Sequence, residues 1–196
     1  MRRLTLAAGV AGRGARLVLI TTWLCVLLLA GCASPGHRAD APADLTWLLR
    51  GLSSSVNAQE ATLTAETACA YCLDLAWQYR IVRPPIWHNV LVNVGLRRRG
   101  LCYQWADDLS DKLESLGLQT LIVRRGAARL NTRREHSSVV LTAREQPFEQ
   151  GIVLDAWRHS GRLYWCGVKE DKYPWIEVEV VAEGTATAPA SSGNSH

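Results

Sequence analysis

Apolar and polar residues alternate in two different ways along the chain, and the change falls near its middle. From Gln59 to Ile81 and from Ile86 to Leu96, apolar residues recur every three or four positions, which predicts two amphipathic helices. Pro84-Pro85 separates them, because proline disfavours helical backbone in the residue before it. A third helix is predicted from Cys102 to about Leu116, and a short one begins near Asp44.

The same spacing predicts which helix faces are buried. Each predicted face collects the larger apolar residues at three- and four-residue intervals. For the first long helix these are Leu63, Ala70, Leu73, Ala76 and Trp77, and for the second they are Trp87, Val90, Leu91 and Val94.

The second half of the chain is rich in valine, leucine and aromatic residues, which favour strands. Helices followed by strands predict an α+β fold, with N-terminal helices packed on an antiparallel sheet. A turn through 158–161 joins the last two strands, and Trp175 in the segment 173–176 is predicted to close the end of the sheet. The four predicted strands are Gln119–Arg124, Glu135–Thr142, Gly151–Trp157 and Leu163–Val168.

The N-terminus has the pattern of a secretory signal. Four arginines and no acidic residue precede an apolar run from Leu17 to Ala30, which ends in small residues. The sequence Leu29-Ala30-Gly31-Cys32 resembles the bacterial lipobox, which implies cleavage before Cys32 and lipid on its thiol. With Ala33 next, that resemblance implies an outer-membrane lipoprotein that faces the periplasm. An uncleaved anchor or an ordinary secreted protein stays open as the alternative.

These features divide the chain into four parts. Residues 1–31 are the predicted signal peptide, and 32–43 are a flexible tether with proline, glycine and alanine. Residues 44–181 form the predicted domain, and 182–196 are a tail with too little apolar content to fold.

Removal of the signal changes the charge of the chain. The whole sequence has 22 basic and 18 acidic residues, and four of the basic ones lie in the signal, so 18 of each remain. A near-neutral domain does not favour nucleic acid as a partner. The run Arg97-Arg98-Arg99 is interpreted as a solvated face or as the rim of a cleft. Arg133 and Arg134 could join it there, and a basic rim would favour acidic substrates.

The cysteines outside the signal and the lipobox are Cys69, Cys72, Cys102 and Cys166. Cys69 and Cys72 share one helix face, which suits neighbouring core positions better than a bond between them. A bridge from Cys166 to either of them stays open in an oxidising compartment. No second Cys/His pair at zinc spacing is present, so neither a metal nor another cofactor is predicted.

Cys102 has the setting of a nucleophile. It follows Gly100 at the start of a predicted helix, where unpartnered backbone N–H groups favour thiolate over thiol. His136 in one predicted strand would act as the base, and Asp155 in another would orient it. His88 and His159 are weaker candidates for the base: His88 is interpreted as a helix-surface or capped histidine, and His159 lies at a hairpin tip. By alternation, the sheet face of His136 is expected to look toward Cys102.

The order of these segments resembles the transglutaminase-like, papain-related cysteine enzymes over residues 86 to 168. Gly100, Cys102, Ala106 and Leu109 match the nucleophile helix of that superfamily. The strands with His136 and Asp155 match its base and acid. Two departures are Ser137-Ser138, where the superfamily often has tryptophan, and Ala156, where it often has proline.

The resemblance implies a thiol active site of Cys102, His136 and Asp155 that hydrolyses or transfers an amide bond of a protein or of peptidoglycan. The alternative is a lipid-anchored binding or scaffolding protein on the same fold with an idle triad. A redox role for the Cys69-Cys72 pair ranks last, because such pairs need an exposed helix start.

Overall fold

The computed structural model describes residues 42–179. The predicted signal peptide, the lipidation site at Cys32 and the predicted tail at 182–196 lie outside the described residues. The predicted tether overlaps them only at residues 42 and 43, which already belong to the first helix.

Four helices precede the sheet, and their order follows the pattern that the sequence predicts. They are α1 (Pro42–Gly51), α2 (Ala58–Gln78), α3 (Pro85–Asn93) and α4 (Cys102–Glu114). Among residues 42–179, no helix combines the length and the apolar character that a membrane span requires.

Five strands form one antiparallel sheet in the order β4-β3-β2-β1-β5. The α+β class, with helices packed on an antiparallel sheet, is therefore confirmed. The fifth strand comes from the segment that was expected to close the sheet, and it pairs with β1 at the edge. The strands are β1 (Leu121–Ala128), β2 (His136–Ala143), β3 (Ile152–Asp155), β4 (Tyr164–Gly167) and β5 (Trp175–Glu177).

The start of α2 is tied to the start of β1. Asn57 caps the helix, and its Oδ1 accepts from the N–H groups of the first turn. One turn on, the Glu60 carboxylate accepts from the backbone N–H of Gln119, Thr120 and Leu121 at 2.7 to 2.9 Å. Burial raises the pKa of Glu60, but these hydrogen bonds outweigh it and hold that pKa below its ordinary value. Helix and sheet are thus joined by a charged hydrogen-bond acceptor.

The prediction for the buried face of α2 is wrong. Leu73 is 55% exposed and Trp77 is 82% exposed, whereas the core-facing stripe is made of smaller residues. Small side chains let the helix axis approach its neighbours closely, so size alone misleads about which face is inside. The buried stripe is Ala61, Thr64, Ala65, Ala68, Cys72 and Leu75.

The predicted buried face of α3 is also wrong. Trp87, Val90 and Val94 are exposed, and the one buried residue of this helix is His88. The helix therefore presents an apolar face to solvent.

Two clusters of buried side chains lie on opposite faces of the sheet. The larger joins α1, α2 and α4 to one face, and the smaller lies on the other face around Val140 and Trp175. Both clusters belong to the compact unit of the chain that contains residues 42–179.

Candidate active site

Cys102 is the first residue of α4, as the sequence predicts. The Gln104 side chain caps the helix from inside, because its Oε1 accepts from the N–H of Gly100 at 2.8 Å and of Leu101 at 3.1 Å. The N–H of Cys102 belongs to the first turn, where no helical carbonyl can accept it. The Cys102 side chain is half-buried, and its Sγ lies 3.9 Å from the carbonyl oxygen of Glu135. The thiol thus sits beside the residue that precedes His136.

Glycine is required at position 100 by the close approach of His88. The backbone at Gly100 has a φ of +131°, and a Cβ there would lie 2.3 Å from His88 Nε2. His88 is fully buried; its Nδ1 accepts from the N–H of Val82, and its Nε2 donates to the carbonyl of Arg99. The helix-surface interpretation of His88 is therefore wrong, because two backbone groups hold the ring in one tautomer.

His136 and Asp155 form a direct pair. His136 Nε2 donates to Oδ2 of Asp155 at 2.7 Å, and both side chains are almost fully buried. Because Nε2 is bonded to Asp155, Nδ1 is the ring nitrogen that can exchange a proton with a thiol. His136 begins β2 and Asp155 ends β3, so adjacent strands fix the pair.

The sheet register corrects the expectation about the faces. His136 shares its face with Asp155 and with the smaller cluster around Val140, whereas α4 packs on the opposite face. The sheet face that carries His136 is therefore not the face on which the Cys102 helix packs, contrary to the expectation from the sequence. The two residues meet at the edge of the sheet, because His136 is the first residue of β2 and Cys102 is the first of α4.

Three aromatic rings surround the His136 imidazole. The ring centroids of Trp157, Tyr173 and Trp175 lie 5.0, 4.9 and 5.4 Å from its own. They fix the plane of the imidazole and exclude water from its pair with Asp155. Trp175, which the sequence predicts to close the end of the sheet, is buried as one of these three aromatic residues.

The pair and the thiol set the charge of the site. Burial lowers the pKa of His136, but hydrogen bonds and charge from Asp155 and Cys102 outweigh it and raise the pKa to about 9. Burial also raises the pKa of Asp155, and the hydrogen bond and charge of His136, together with Arg158, bring it below its ordinary value. The pair therefore favours an imidazolium beside the Asp155 carboxylate at neutral pH.

Arg158 and Asp171 complete the site and were not predicted from the sequence. Arg158 Nε donates to the same Oδ2 of Asp155 at 2.9 Å, and its backbone N–H donates to Oδ1 at 3.0 Å. Its guanidinium also pairs with Asp171, which accepts from the indole N–H of Trp175 at 2.9 Å. The signal that could have indicated Arg158 is its place three residues after Asp155, where an aspartate commonly accepts a turn N–H. Asp171 has no comparable signal.

A cavity of about 360 Å³ opens in front of Cys102 and His136. Its rim has an excess of positive charge, since three exposed arginines and one exposed carboxylate, Glu135, line it. No carboxylate among residues 42–179 forms a salt bridge with any of the three arginines. The run at 97–99 lies on a different cavity, so only the second half of the predicted basic rim reaches the site. The lining includes Ile86, Asn89, Trp157 and Tyr173, with Arg129, Arg133 and Arg134 at the rim.

The other cysteines contrast with Cys102. Cys72 and Cys166 are buried free thiols, so the bridge from Cys166 that the sequence left open does not form. Burial raises the pKa of Cys72 well above its ordinary value and that of Cys166 to about 11. Both are therefore poor nucleophiles. No group of three or more His, Cys, Asp or Glu side chains in the described part of the chain is arranged to hold a metal ion.

His159 does not reach the thiol cavity. It is exposed in the turn after β3, and its ring contacts Tyr164 at a centroid distance of 5.7 Å. Burial lowers its pKa. Of the histidines in residues 42–179, His136 is thus the one that lines this cavity together with Cys102.

Comparison of the chain with protein-family models, curated proteins and solved structures found no match.

Proposed function

We propose that the chain is a cell-envelope lipoprotein with a thiol active site, in which Cys102, His136 and Asp155 hydrolyse or transfer an amide bond. The observation that carries this proposal is the convergence of three separate elements at one cavity. A half-buried cysteine at a helix start and a histidine line this cavity, and the buried Asp155 carboxylate pairs with that histidine, with His136 Nε2 and Asp155 Oδ2 only 2.7 Å apart. Nucleophile, base and orienting acid are the parts that acyl transfer through a thiol requires.

The reaction divides into two steps. Cys102 Sγ attacks the amide carbonyl carbon, and the backbone N–H of Cys102 at the helix start stabilises the oxyanion that forms. His136 then donates its proton to the leaving nitrogen, the C–N bond breaks and a thioester remains. Water then attacks the carbonyl carbon of the thioester while His136 removes a proton from that water. The C–S bond breaks, and the thiolate of Cys102 and the protonated His136 are restored. An amine in place of water gives transfer instead of hydrolysis.

The order of these residues along the chain supports a transglutaminase-like, papain-related type of enzyme. The proposed substrate is a protein or a peptidoglycan-type amide, and the proposed location is the periplasmic side of the outer membrane, held by lipid on Cys32. Neither nucleic acid nor a cofactor is part of the proposal.

The direct test is product analysis with matched variants. Isolated peptidoglycan and a mixed peptide library are incubated with the unmodified chain, with Cys102→Ala and with Cys166→Ala as a control for loss of a thiol. The proposal expects cleaved or amine-exchanged amides, detected by mass spectrometry, from the unmodified chain and Cys166→Ala only. If no product depends on Cys102, the chain is a binding module and the proposal fails.

A further inference from the structure

The exposed face of α3 forms an apolar surface without a partner in the described part of the chain. Ile86, Trp87 and Val90 lie along one stripe of the helix, and Val94, the residue that caps its C-terminus, continues the stripe at the same three- and four-residue spacing. These four residues are 62%, 63%, 45% and 62% exposed. Leu96, just beyond the helix, is 65% exposed. Apolar residues that cluster in this way mark a contact surface rather than ordinary exposure.

A basic cavity adjoins this stripe. Arg80, Arg97, Arg98 and Arg99 line a cavity of about 700 Å³, and Leu96 lines it with them. Of these four, only Arg99 forms an ion pair with a carboxylate of residues 42–179, namely Asp108. The positive charges of Arg80, Arg97 and Arg98 thus lie at the end of the apolar stripe with no carboxylate to neutralise them, although the Arg97 guanidinium also donates to the backbone carbonyls of Leu96 and Arg80.

We propose that this combined surface docks on a bilayer that contains anionic phospholipid. A helix whose apolar face carries tryptophan and aliphatic residues, next to a cluster of arginines, is the pattern of a helix that lies in the membrane interface. The arginines complement the lipid phosphates, and the stripe enters the boundary of the acyl chains. A protein groove would account for the apolar stripe but not for the unpaired arginines beside it.

The predicted lipid anchor adds to this argument. About ten residues separate Cys32 from the first residue of α1, and a chain of that length spans at most about 35 Å. A lipid on Cys32 would therefore hold this domain within reach of the bilayer, where a second, weaker contact fixes its orientation. Because Ile86 lines both the stripe and the thiol cavity, docking sets the opening of that cavity beside the membrane. The docking surface itself does not depend on the thiol chemistry.

Vesicle flotation tests the proposal on a chain that begins at residue 33 and so lacks the lipid. Vesicles of phosphatidylcholine alone are compared with vesicles that also contain phosphatidylglycerol. We expect binding to the anionic vesicles only, weakened about 30-fold in Arg97→Gln/Arg98→Gln and about tenfold in Trp87→Ala. The binding falls as salt is added.

Matched controls carry the same changes elsewhere. Trp47→Ala removes an indole that is 74% exposed on α1, and Arg50→Gln/Lys169→Gln removes two exposed positive charges. Both should bind as the unmodified chain does. The proposal is overturned by an absence of binding, by equal binding to neutral vesicles, or by controls that lose as much affinity as the test variants.

Two further outcomes assign the surface to another occupant and also overturn the proposal. If sedimentation shows a dimer that Trp87→Ala dissociates and that excludes vesicles, the stripe binds a second copy of the chain. If inorganic phosphate displaces the chain from vesicles and Trp87→Ala has no effect, the arginines bind a free anion. Cys102→Ala should leave vesicle binding unchanged, so failure of the amide chemistry and failure of docking are distinguishable.

Discussion

His136 donates from Nε2 to Oδ2 of Asp155 over 2.7 Å, and this bond decides which ring nitrogen faces the thiol. The carboxylate also sets the charge of the ring, because it contributes to a pKa of about 9 for His136. In Asp155→Asn the hydrogen bond can persist but the charge is lost. We expect the pKa of His136 to fall below about 9, because burial opposes the charged ring and the charge of Asp155 no longer offsets it. NMR titration of the ring measures this, and an unchanged pKa would show that Asp155 does not set the charge of His136.

Stability should depend on pH through the same residue. The pKa of His136 is raised from 6.5 to about 9 on folding. A raised pKa contributes stability that is fully present below pH 6.5 and is lost as pH rises through about 9. The difference in unfolding free energy between the unmodified chain and His136→Gln should therefore shrink by up to about 3 kcal/mol between pH 6 and about 10. Denaturant unfolding at several pH values measures this difference. Cys102 also raises the pKa of His136, so in Cys102→Ser the stability should be lost over a narrower pH range. A difference that is constant with pH would contradict the raised pKa.

Arg158 is predicted to be the structural support of Asp155. Its side chain is only 10% exposed and bridges two carboxylates that are each 1% exposed. Arg158→Gln leaves Asp171 without its cation and Asp155 with His136 alone, and it should lower the unfolding free energy by about 3 kcal/mol. Arg124→Gln is the matched control, because its pair with Glu177 is more exposed; it should cost below about 1 kcal/mol. Equal losses in the two variants would show that the buried bridge has no special role.

The basic rim of the thiol cavity predicts a preference for anionic groups. Iodoacetate carries a negative charge and iodoacetamide is neutral, and both alkylate the same sulfur. The alkylation rate of Cys102 with iodoacetate divided by its rate with iodoacetamide therefore reports the local electrostatic potential. Arg133→Gln/Arg134→Gln should lower that ratio several-fold, because both arginines line the cavity. Arg50→Gln/Lys169→Gln has the same change in net charge and should leave it unaltered. If the two double variants change the ratio equally, the ratio reports the net charge of the chain and not the charges at the cavity rim.

The sequence predicts which residues come together at the candidate site better than it predicts the packing around them. Cys102, His136 and Asp155 could be proposed as a site because a helix start and two strand ends leave signals in a single sequence. The buried stripe of α2 was mistaken because small residues such as Ala65 and Ala68 carry the contact while Trp77 points to solvent. Arg158 and Asp171 were missed because their pairing depends on a turn and a loop that come together only in three dimensions. His88 was misjudged for the same reason, since its partners are backbone groups at Val82 and Arg99.

The central claim is that Cys102 and His136 act as a reactive pair, and site-resolved alkylation tests it most directly. A chain that begins at residue 33 is labelled with iodoacetamide across pH, and each cysteine is quantified by mass spectrometry. The account predicts fast labelling of Cys102 below pH 7, slow labelling of the buried Cys72 and Cys166, and loss of the fast reaction in His136→Ala. If Cys102 reacts only on unfolding, or no faster than a free thiol, the account is contradicted and the site is idle.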